Sequence, residues 1–224
     1  MDVILAFDCA VAGLSVAVVH EGRRRAALTE TGREQSARLL PAVDSVVRQA
    51  GLAPRDLTLI AVTMGPGSFT GVRVGLAAAH GLAIGLGIPL AGFATTSVLL
   101  AQAPMESRLR VAVIDSRLGD WFCALEDEQQ SFLVSAQGLG ERLQGRPSVL
   151  IGSGAQPLAD QLARAGVNAV GHEALPDAVV LARLAARDGA ALWRERNWRE
   201  GLPRPLYLRG VNITLPDGAR RTVE

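Results

Sequence analysis

The order of predicted strands and helices is the feature that most constrains the fold of this chain. Three apolar runs rich in β-branched residues, separated by turn residues, predict three strands before residue 31. Helical and strand patterns then alternate to about residue 103, and the second half of the chain repeats this order. Each half therefore predicts the succession βββαβαβα, although no residue-level repeat relates the two halves.

The bounds of these elements follow from apolar periodicity and from turn and cap residues. In the first half we predict strands at 3–8, 14–20, 23–30, 58–64 and 88–93 and helices at 32–50, 71–86 and 95–103. In the second half we predict strands at 109–115, 120–126, 130–134, 148–151 and 167–170 and helices at 136–143, 155–165 and 176–198. Thr31-Gly32-Arg33-Glu34 has the form of a capping box, and we expect Pro41 to bend the helix that follows.

Two such units in tandem are typical of the two-lobed actin-like architecture (ASKHA, ribonuclease H-like), an α/β fold with duplicated βββαβαβα topology. We expect an N-terminal lobe over residues 1–104 and a smaller C-terminal lobe with a tail over 105–224. The first strand of each lobe ends in an aspartate, Asp8 and Asp115. In nucleotide-using members of this architecture the following hairpin holds phosphate and metal, so Asp8 marks a vestigial phosphate hairpin or, alternatively, a simple turn.

Composition excludes several classes of protein. Hydrophobic residues make up 49% and charged residues 20% of the 224 residues, which excludes a disordered chain. The net charge of +1 gives no global basic field for autonomous nucleic-acid binding. All 23 basic residues are Arg, which excludes a Schiff-base lysine and the lysine of a nucleotide-binding P-loop. The two Cys and three His match no metal-ligand spacing, so we expect no metal site and a reducing compartment.

The stretch from Val74 to Met105 contains no formally charged residue and is long enough to suggest a membrane span. Gly85, Gly87 and Pro89 interrupt it, so we interpret it as a helix, a strand and a helix of a protein core, with no membrane contact. The first apolar run is too short for the core of a signal peptide. We therefore expect a cytoplasmic protein.

The most specific segment runs from Met64 to Gly75 and is predicted to join a buried strand to the start of a helix. Free backbone N–H groups at a helix start can bind an anion, so one interpretation is a phosphate cradle and the other is a tight strand-to-helix connection. The cradle of a P-loop requires a lysine, which this chain lacks. A nucleophile elbow at Ser68 requires glycine at position 70, where Thr70 stands.

This segment resembles the signature of the TsaB (YeaZ) family. The residues of the signature loop are Gly65, Pro66, Gly67, Ser68, Phe69, Thr70 and Gly71. The opening strand Ile4–Asp8, the helix segment Arg33-Glu34-Gln35-Ser36 and the C-terminal segment Pro205–Arg209 are similar to those of the same family. The resemblance is strong over residues 1 to about 105 and weaker over the remainder of the chain.

The resemblance implies a non-catalytic, dimerising subunit that binds and activates the TsaD transferase in threonylcarbamoyladenosine modification of tRNA next to the anticodon. It also implies a homodimer in isolation, a TsaE ATPase in the full complex, and tRNA contact only through that complex. The TsaD relative holds a metal with a His-x3-His pair on a helix whose counterpart here, 95–103, contains no His. We therefore expect no catalysis, metal or cofactor. An ATP-dependent small-molecule kinase of the same fold is the alternative, although the hairpin after Asp8 is poor in Ser and Thr.

The two N-lobe helices are more apolar than surface helices usually are. The first helix has two adjacent apolar stripes. Either both stripes pack on the sheet, or one packs on the sheet and the other contacts a partner. The resemblance implies that these two helices form the dimer interface. The interface residues that we predict are Leu39, Val43, Val46, Val47, Arg73, Ala77 and His80.

Two clusters of arginine have no role in this scheme. Arg23-Arg24-Arg25 is either a solvated strand edge or a tRNA contact. The second cluster lies beside two tryptophans and consists of Arg194, Arg196 and Arg199. Its side chains either stack on nucleic-acid bases or form the amphipathic end of a helix.

Overall fold

The computed structural model describes residues 2–32, 35–105, 107–128, 130–209, 211–214 and 220–223. The first half contains strands β1 (Val3–Asp8), β2 (Leu14–His20), β3 (Arg23–Glu30), β4 (Leu59–Thr63) and β5 (Leu90–Phe93), and helices α1 (Gln35–Gln49), α2 (Phe69–Leu86) and α3 (Thr95–Gln102). The second half contains strands β6 (Leu109–Asp115), β7 (Trp121–Leu125), β8 (Phe132–Val134), β9 (Ser148–Ser153) and β10 (Ala169–Glu173), and helices α4 (Ala136–Leu143), α5 (Ala155–Arg164) and α6 (Ala178–Glu200). A hairpin of β11 (Val211–Thr214) and β12 (Arg220–Val223), for which we predicted no element, follows.

Two five-stranded sheets repeat one topology. The first has the order β3-β2-β1-β4-β5 and the second the order β10-β9-β6-β7-β8, so the first strand of each half is central. In both sheets this central strand is antiparallel to the next strand in sequence and parallel to the fourth. The predicted two-lobed α/β fold with duplicated βββαβαβα topology is confirmed.

Both faces of each sheet are covered by helices. The sheet of the first half carries α1 and α2 on one face, and the sheet of the second half carries α4 and α5 on one face. The opposite face is covered from the other half of the chain, because α6 packs on β1, β2, β4 and β5 while α3 packs on β6, β7 and β9. Each half therefore contributes one helix to the other half's sheet, and the division at residues 104 and 105 does not separate two packing units.

Strand β1 shows why the sequence folds this way. Its side chains are buried on both faces, with Leu5 and Phe7 in the core beneath α1 and α2, and Ile4 and Ala6 in the core beneath α6. A strand covered on both faces has a continuous apolar run rather than an alternating pattern, as the sequence has here.

Three helix boundaries differ from the sequence expectation or lie beyond what the structure describes. Arg33 and Glu34 of the proposed capping box lie outside the described residues, and α1 is described from Gln35 onward. Helix α2 begins two residues earlier than predicted, because Ser68 caps it by accepting a hydrogen bond from the backbone N–H of Gly71. Helix α6 is interrupted at Gly189, whose φ of 72° is incompatible with helix.

Candidate functional site

The signature loop packs directly against the turn between β1 and β2. A Cβ atom added to Gly67 would lie 2.1 Å from the carbonyl oxygen of Ala10, and one added to Gly71 would lie 1.9 Å from that of Cys9. Side chains at these two positions would therefore displace the backbone of the neighbouring turn. This close approach explains Gly67 and Gly71, whereas a Cβ atom added to Gly65 would lie 2.9 Å from the carbonyl oxygen of Leu206.

Some of the backbone N–H groups at the start of α2 are bonded within the protein. The N–H of Ser68 donates to the carbonyl of Ala10 at 2.7 Å, and that of Val72 donates to the carbonyl of Ser68 at 2.9 Å. The N–H of Gly71 donates to the hydroxyl of Ser68 at 3.3 Å. The bonds of Ser68 and Gly71 support a tight strand-to-helix connection, whereas the N–H groups of Phe69 and Thr70, which line the cleft, have no acceptor among the described residues.

Asp8 lies at the end of β1 and is only 2% exposed. Its Oδ1 atom accepts hydrogen bonds from the hydroxyl of Thr63 at 2.5 Å and from the N–H of Ala10 at 3.2 Å. Burial raises the pKa of Asp8 to about 6, although the hydrogen bonds from Thr63 and Ala10 oppose that rise. Asp8 joins the ends of β1 and β4 and does not line the cleft between the two lobes, so the vestigial phosphate hairpin stays a prediction beside the simple turn.

A cleft of about 820 Å³ lies between the two lobes. It is bordered by the β1–β2 turn, the start of α2, the β6–β7 hairpin, the start of α5 and the segment that follows α6. The residues that line it are 10–12, 66–70, 114–118, Phe122, 153–154 and 206–209. Asp115 lines this cleft and is exposed, unlike its counterpart Asp8 in the first lobe.

The start of α5 at the cleft is occupied by a carboxylate of the protein itself. The two oxygens of Glu173 accept hydrogen bonds of 3.1 Å from the backbone N–H groups of Gly154 and Gln156. A helix start is the part of a helix that attracts anions, and here the anion is Glu173.

Residues 202–209, which we call the strap, connect the first lobe to the β6–β7 hairpin. The N–H of Leu206 donates to the carbonyl of Met64 at 2.8 Å, and the side chain of Arg209 forms an ion pair with Asp120. Tyr207 stacks on Phe69 with ring centroids 5.8 Å apart. The strap therefore contacts the first lobe, the cleft and the second lobe.

Comparison with known proteins establishes the family. The sequence profile of the TsaD family, tRNA N6-adenosine threonylcarbamoyltransferase, matches residues 29–185, which is more than half of the chain. The chain belongs to the TsaD family. Within it, the chain is 36% identical to the tRNA threonylcarbamoyladenosine biosynthesis protein TsaB of Escherichia coli over 123 residues, or 54% of this chain and 53% of that protein. It is 34% identical to TsaB of Bacillus subtilis over 131 residues, or 58% and 57% of the two chains.

The aligned part spans about half the length of these curated TsaB relatives. A solved structure of YeaZ from Pseudomonas aeruginosa superposes with a TM-score of 0.67 at 26% identity, covering 93% of this chain and all of that one. The resemblance of the signature loop to the TsaB (YeaZ) family is thereby confirmed.

The structure corrects four of the predicted interface residues. Leu39, Val43, Val46 and Val47 are 1%, 7%, 0% and 4% exposed and belong to the core beneath α1. These four side chains of α1 pack on the sheet and are therefore unavailable to a partner. The large apolar side chain that α1 leaves in solvent is Leu40, at 55% exposure.

The three predicted residues on α2 lie nearer the surface. Arg73 and Ala77 are exposed, and His80 is half-buried. Arg73 places its guanidinium 3.7 Å from the ring centroid of Phe69, and the Nε2 atom of His80 lies 2.9 Å from the carbonyl oxygen of Pro203. The strap therefore covers part of the predicted surface, which the sequence did not indicate.

The outer face of α2, defined as Thr70, Arg73, Ala77, Gly81 and Ile84, is exposed along the whole helix. Helix α2 has a mean hydropathy of 1.4 and is the one helix among the described residues that is long and apolar enough to cross a membrane. A third of it is buried inside the protein. Its buried side, which includes Gly75, Leu76 and Ala79, packs on the sheet. Its outer face is thus polar at Thr70 and Arg73 and carries small or apolar residues at Ala77, Gly81 and Ile84.

The sulfur and imidazole groups do not form a metal cluster in the described part of the chain, where no three His, Cys, Asp or Glu side chains are grouped to hold an ion. Cys9 and Cys123 are buried free thiols, and burial raises the pKa of each. Both are therefore protonated and unreactive at neutral pH.

Proposed function

We propose that this chain is a non-catalytic subunit that binds a TsaD-type transferase and activates it in threonylcarbamoyladenosine modification of tRNA next to the anticodon. It acts in the cytoplasm, forms a homodimer when alone and works in the full complex with a TsaE-type ATPase. In the cell it meets tRNA as part of that complex.

The outer face of α2 carries this proposal. Ile84 is 70% exposed and stands in line with Ala77 and Gly81, which have little or no side chain. Small residues let a partner helix approach within the 8–10 Å typical of packed helices, and contiguous exposed apolar surface marks interaction sites. Leu40 of α1, at 55% exposure, adds apolar surface on the same side of the first sheet.

The contacts of Asp8, Ser68 and Glu173 support a role other than phosphate transfer. Asp8 is buried against Thr63, and the helix starts of α2 and α5 are bonded to the hydroxyl of Ser68 and the carboxylate of Glu173. These groups stabilise the chain itself, so none of them favours the kinase alternative.

A reconstituted modification assay tests the proposal. The TsaD-type and TsaE-type proteins of the same cell, tRNA, ATP and a threonylcarbamoyl donor are combined with and without this chain. We expect modification to require the chain, to be lost with Ala77→Arg and to persist with Ala163→Arg, which places the same side chain at an exposed position of α5. Equal modification without the chain would contradict the proposal.

A further inference from the structure

Trp198 near the end of α6 is 87% exposed. The helix that carries it is held firmly on the first lobe, because the side-chain amide of Asn197 accepts from the N–H of Leu90 at 2.7 Å and donates to the carbonyl of Leu90 at 2.9 Å. Arg194, one helical turn before Trp198, donates to the carbonyl of Gly87 at 3.3 Å. The indole ring is thus presented to solvent from a fixed backbone.

The other tryptophans of the chain are core residues. Trp193 is 8% exposed, packs edge-on against Phe93 at 5.4 Å and donates its N–H to the carbonyl of Ala185. Trp121 is also 8% exposed. Packing in the core therefore accounts for two of the three tryptophans and leaves Trp198 without a structural role.

Positive charge is concentrated in the part of the sequence that carries Trp198. Residues 183–204 contain six Arg and three acidic residues, a net charge of +3, whereas the whole chain carries +1 and the remainder is therefore net negative. Asp188 and Glu195 form ion pairs with Arg196 and Arg199. Four exposed arginines have no carboxylate partner among the described residues; they are Arg183, Arg187, Arg194 and Arg204.

We propose that this end of α6 contacts unpaired nucleotides of RNA, with a base stacked on Trp198 and the neighbouring arginines facing phosphates. Stacking on an exposed aromatic ring with adjacent arginines is a common mode of single-strand recognition. A protein partner is less favoured, because interfaces between proteins have an apolar core and the residues that precede Trp198 on its helix face are Arg194 and Glu195. That the RNA is the tRNA bound by the modification complex rests on the proposed function.

Tryptophan fluorescence tests this inference directly, because Trp198 is exposed and the other two tryptophans are buried. The chain is titrated at low salt with an RNA hairpin that has an unpaired loop, and with a blunt RNA duplex of equal length as the control. We expect the hairpin to quench the emission and the duplex to quench it much less. The Trp198→Phe variant should lose the quenching. Equal quenching by both RNAs, or quenching that persists in Trp198→Phe, would overturn the inference.

The arginines are tested through the salt dependence of hairpin binding. Arg194→Ala, one helical turn before Trp198, should weaken binding and reduce the slope of log K against log salt by about 0.7, the value for one phosphate contact with a single strand. Arg164→Ala, at an exposed position of α5 in the other lobe, is the matched control and should leave the slope unchanged. Equal slopes for the two variants would overturn the role of the arginines.

A second measurement separates this inference from the proposed function. In the mixed complex with the TsaD-type protein, Trp198→Ala should lower the affinity for tRNA about tenfold, which corresponds to the loss of one stacked base, and should leave complex formation unchanged. Weaker complex formation with unchanged tRNA affinity would make Trp198 a protein contact and overturn the inference alone. Failure of the unaltered chain to form a mixed complex would contradict the proposed function, whereas loop-specific quenching in the isolated chain would still support an RNA contact.

Discussion

The Nε atom of Arg73 donates a hydrogen bond of 2.8 Å to the hydroxyl of Tyr207, and this contact joins α2 to the strap. The two residues are 134 positions apart in the sequence. The guanidinium of Arg73 also lies over Phe69, so one cluster holds the start of the outer face of α2 and the edge of the cleft together.

We predict that Tyr207→Ala releases the strap from α2. It removes both the ring that stacks on Phe69 and the hydroxyl that accepts from Arg73, so we expect a loss of about 1 kcal/mol of stability. Hydrogen exchange at the N–H of Leu206, which is bonded to Met64, should accelerate. Tyr207→Phe keeps the ring and should exchange at an intermediate rate. Unchanged exchange in Tyr207→Ala would show that Tyr207 does not hold the strap.

Replacing two glycines of α2 by alanine should change the free energy of unfolding in opposite directions. A Cβ atom at Gly71 would lie 1.9 Å from the carbonyl oxygen of Cys9, so Gly71→Ala should lower the free energy of unfolding by about 2 kcal/mol or more. A Cβ atom at Gly81 meets nothing within 4 Å, so Gly81→Ala should raise it by about 0.5–1 kcal/mol through helix propensity. Urea unfolding of both variants measures the two effects, and a stabilising Gly71→Ala would contradict the described packing of the signature loop.

The buried Asp8 should make stability depend on pH. Burial raises the pKa of Asp8 from 3.8 to about 6, so the native state binds this proton more tightly than the unfolded chain does. The contribution of Asp8 to stability is therefore largest below about pH 4 and falls as the pH rises through about 6. A difference of about two pKa units corresponds to about 3 kcal/mol.

The Asp8→Asn variant tests this dependence, because its side chain keeps an oxygen to accept from Thr63 and does not ionise. Relative to the unaltered protein, the variant should gain stability between about pH 4 and pH 7, as measured by urea unfolding at several pH values. Parallel stability curves for the two proteins would mean that Asp8 is not the titrating group.

The elements and their order could be predicted from the sequence, because buried strands such as Val3–Asp8 are local signals, although the cap at Ser68 was missed. The buried face of α1 could not be predicted from the sequence. Its two apolar stripes are adjacent, and periodicity does not reveal that Val43 and Val47 join Leu39 and Val46 in one broad core contact. Sequence reasoning therefore selected an interface from residues that the sheet already covers.

Contacts between segments that are far apart in the chain could not be predicted from the sequence either. The carboxylate of Glu173 at the start of α5 and the contact between Arg73 and Tyr207 depend on segments that are distant in sequence. The packing of α3 and α6 on the opposite lobes likewise depends on three-dimensional closure of the fold. No local pattern encodes these pairings, although Pro205–Arg209 stood out through its resemblance to the TsaB (YeaZ) family.

Gel filtration with light scattering of the chain, alone and mixed with the TsaD-type protein of the same cell, tests the central claim most directly. We predict that the chain alone is a homodimer. We predict that the chain mixed with the TsaD-type protein forms a complex of the two proteins. Ala77→Arg should weaken that complex at least about tenfold, because a long charged side chain would enter the part of the outer face that carries Ala77, Gly81 and Ile84, whereas Ala163→Arg should leave it intact. The absence of a mixed species, or a mixed species that Ala77→Arg leaves unchanged, would contradict the account.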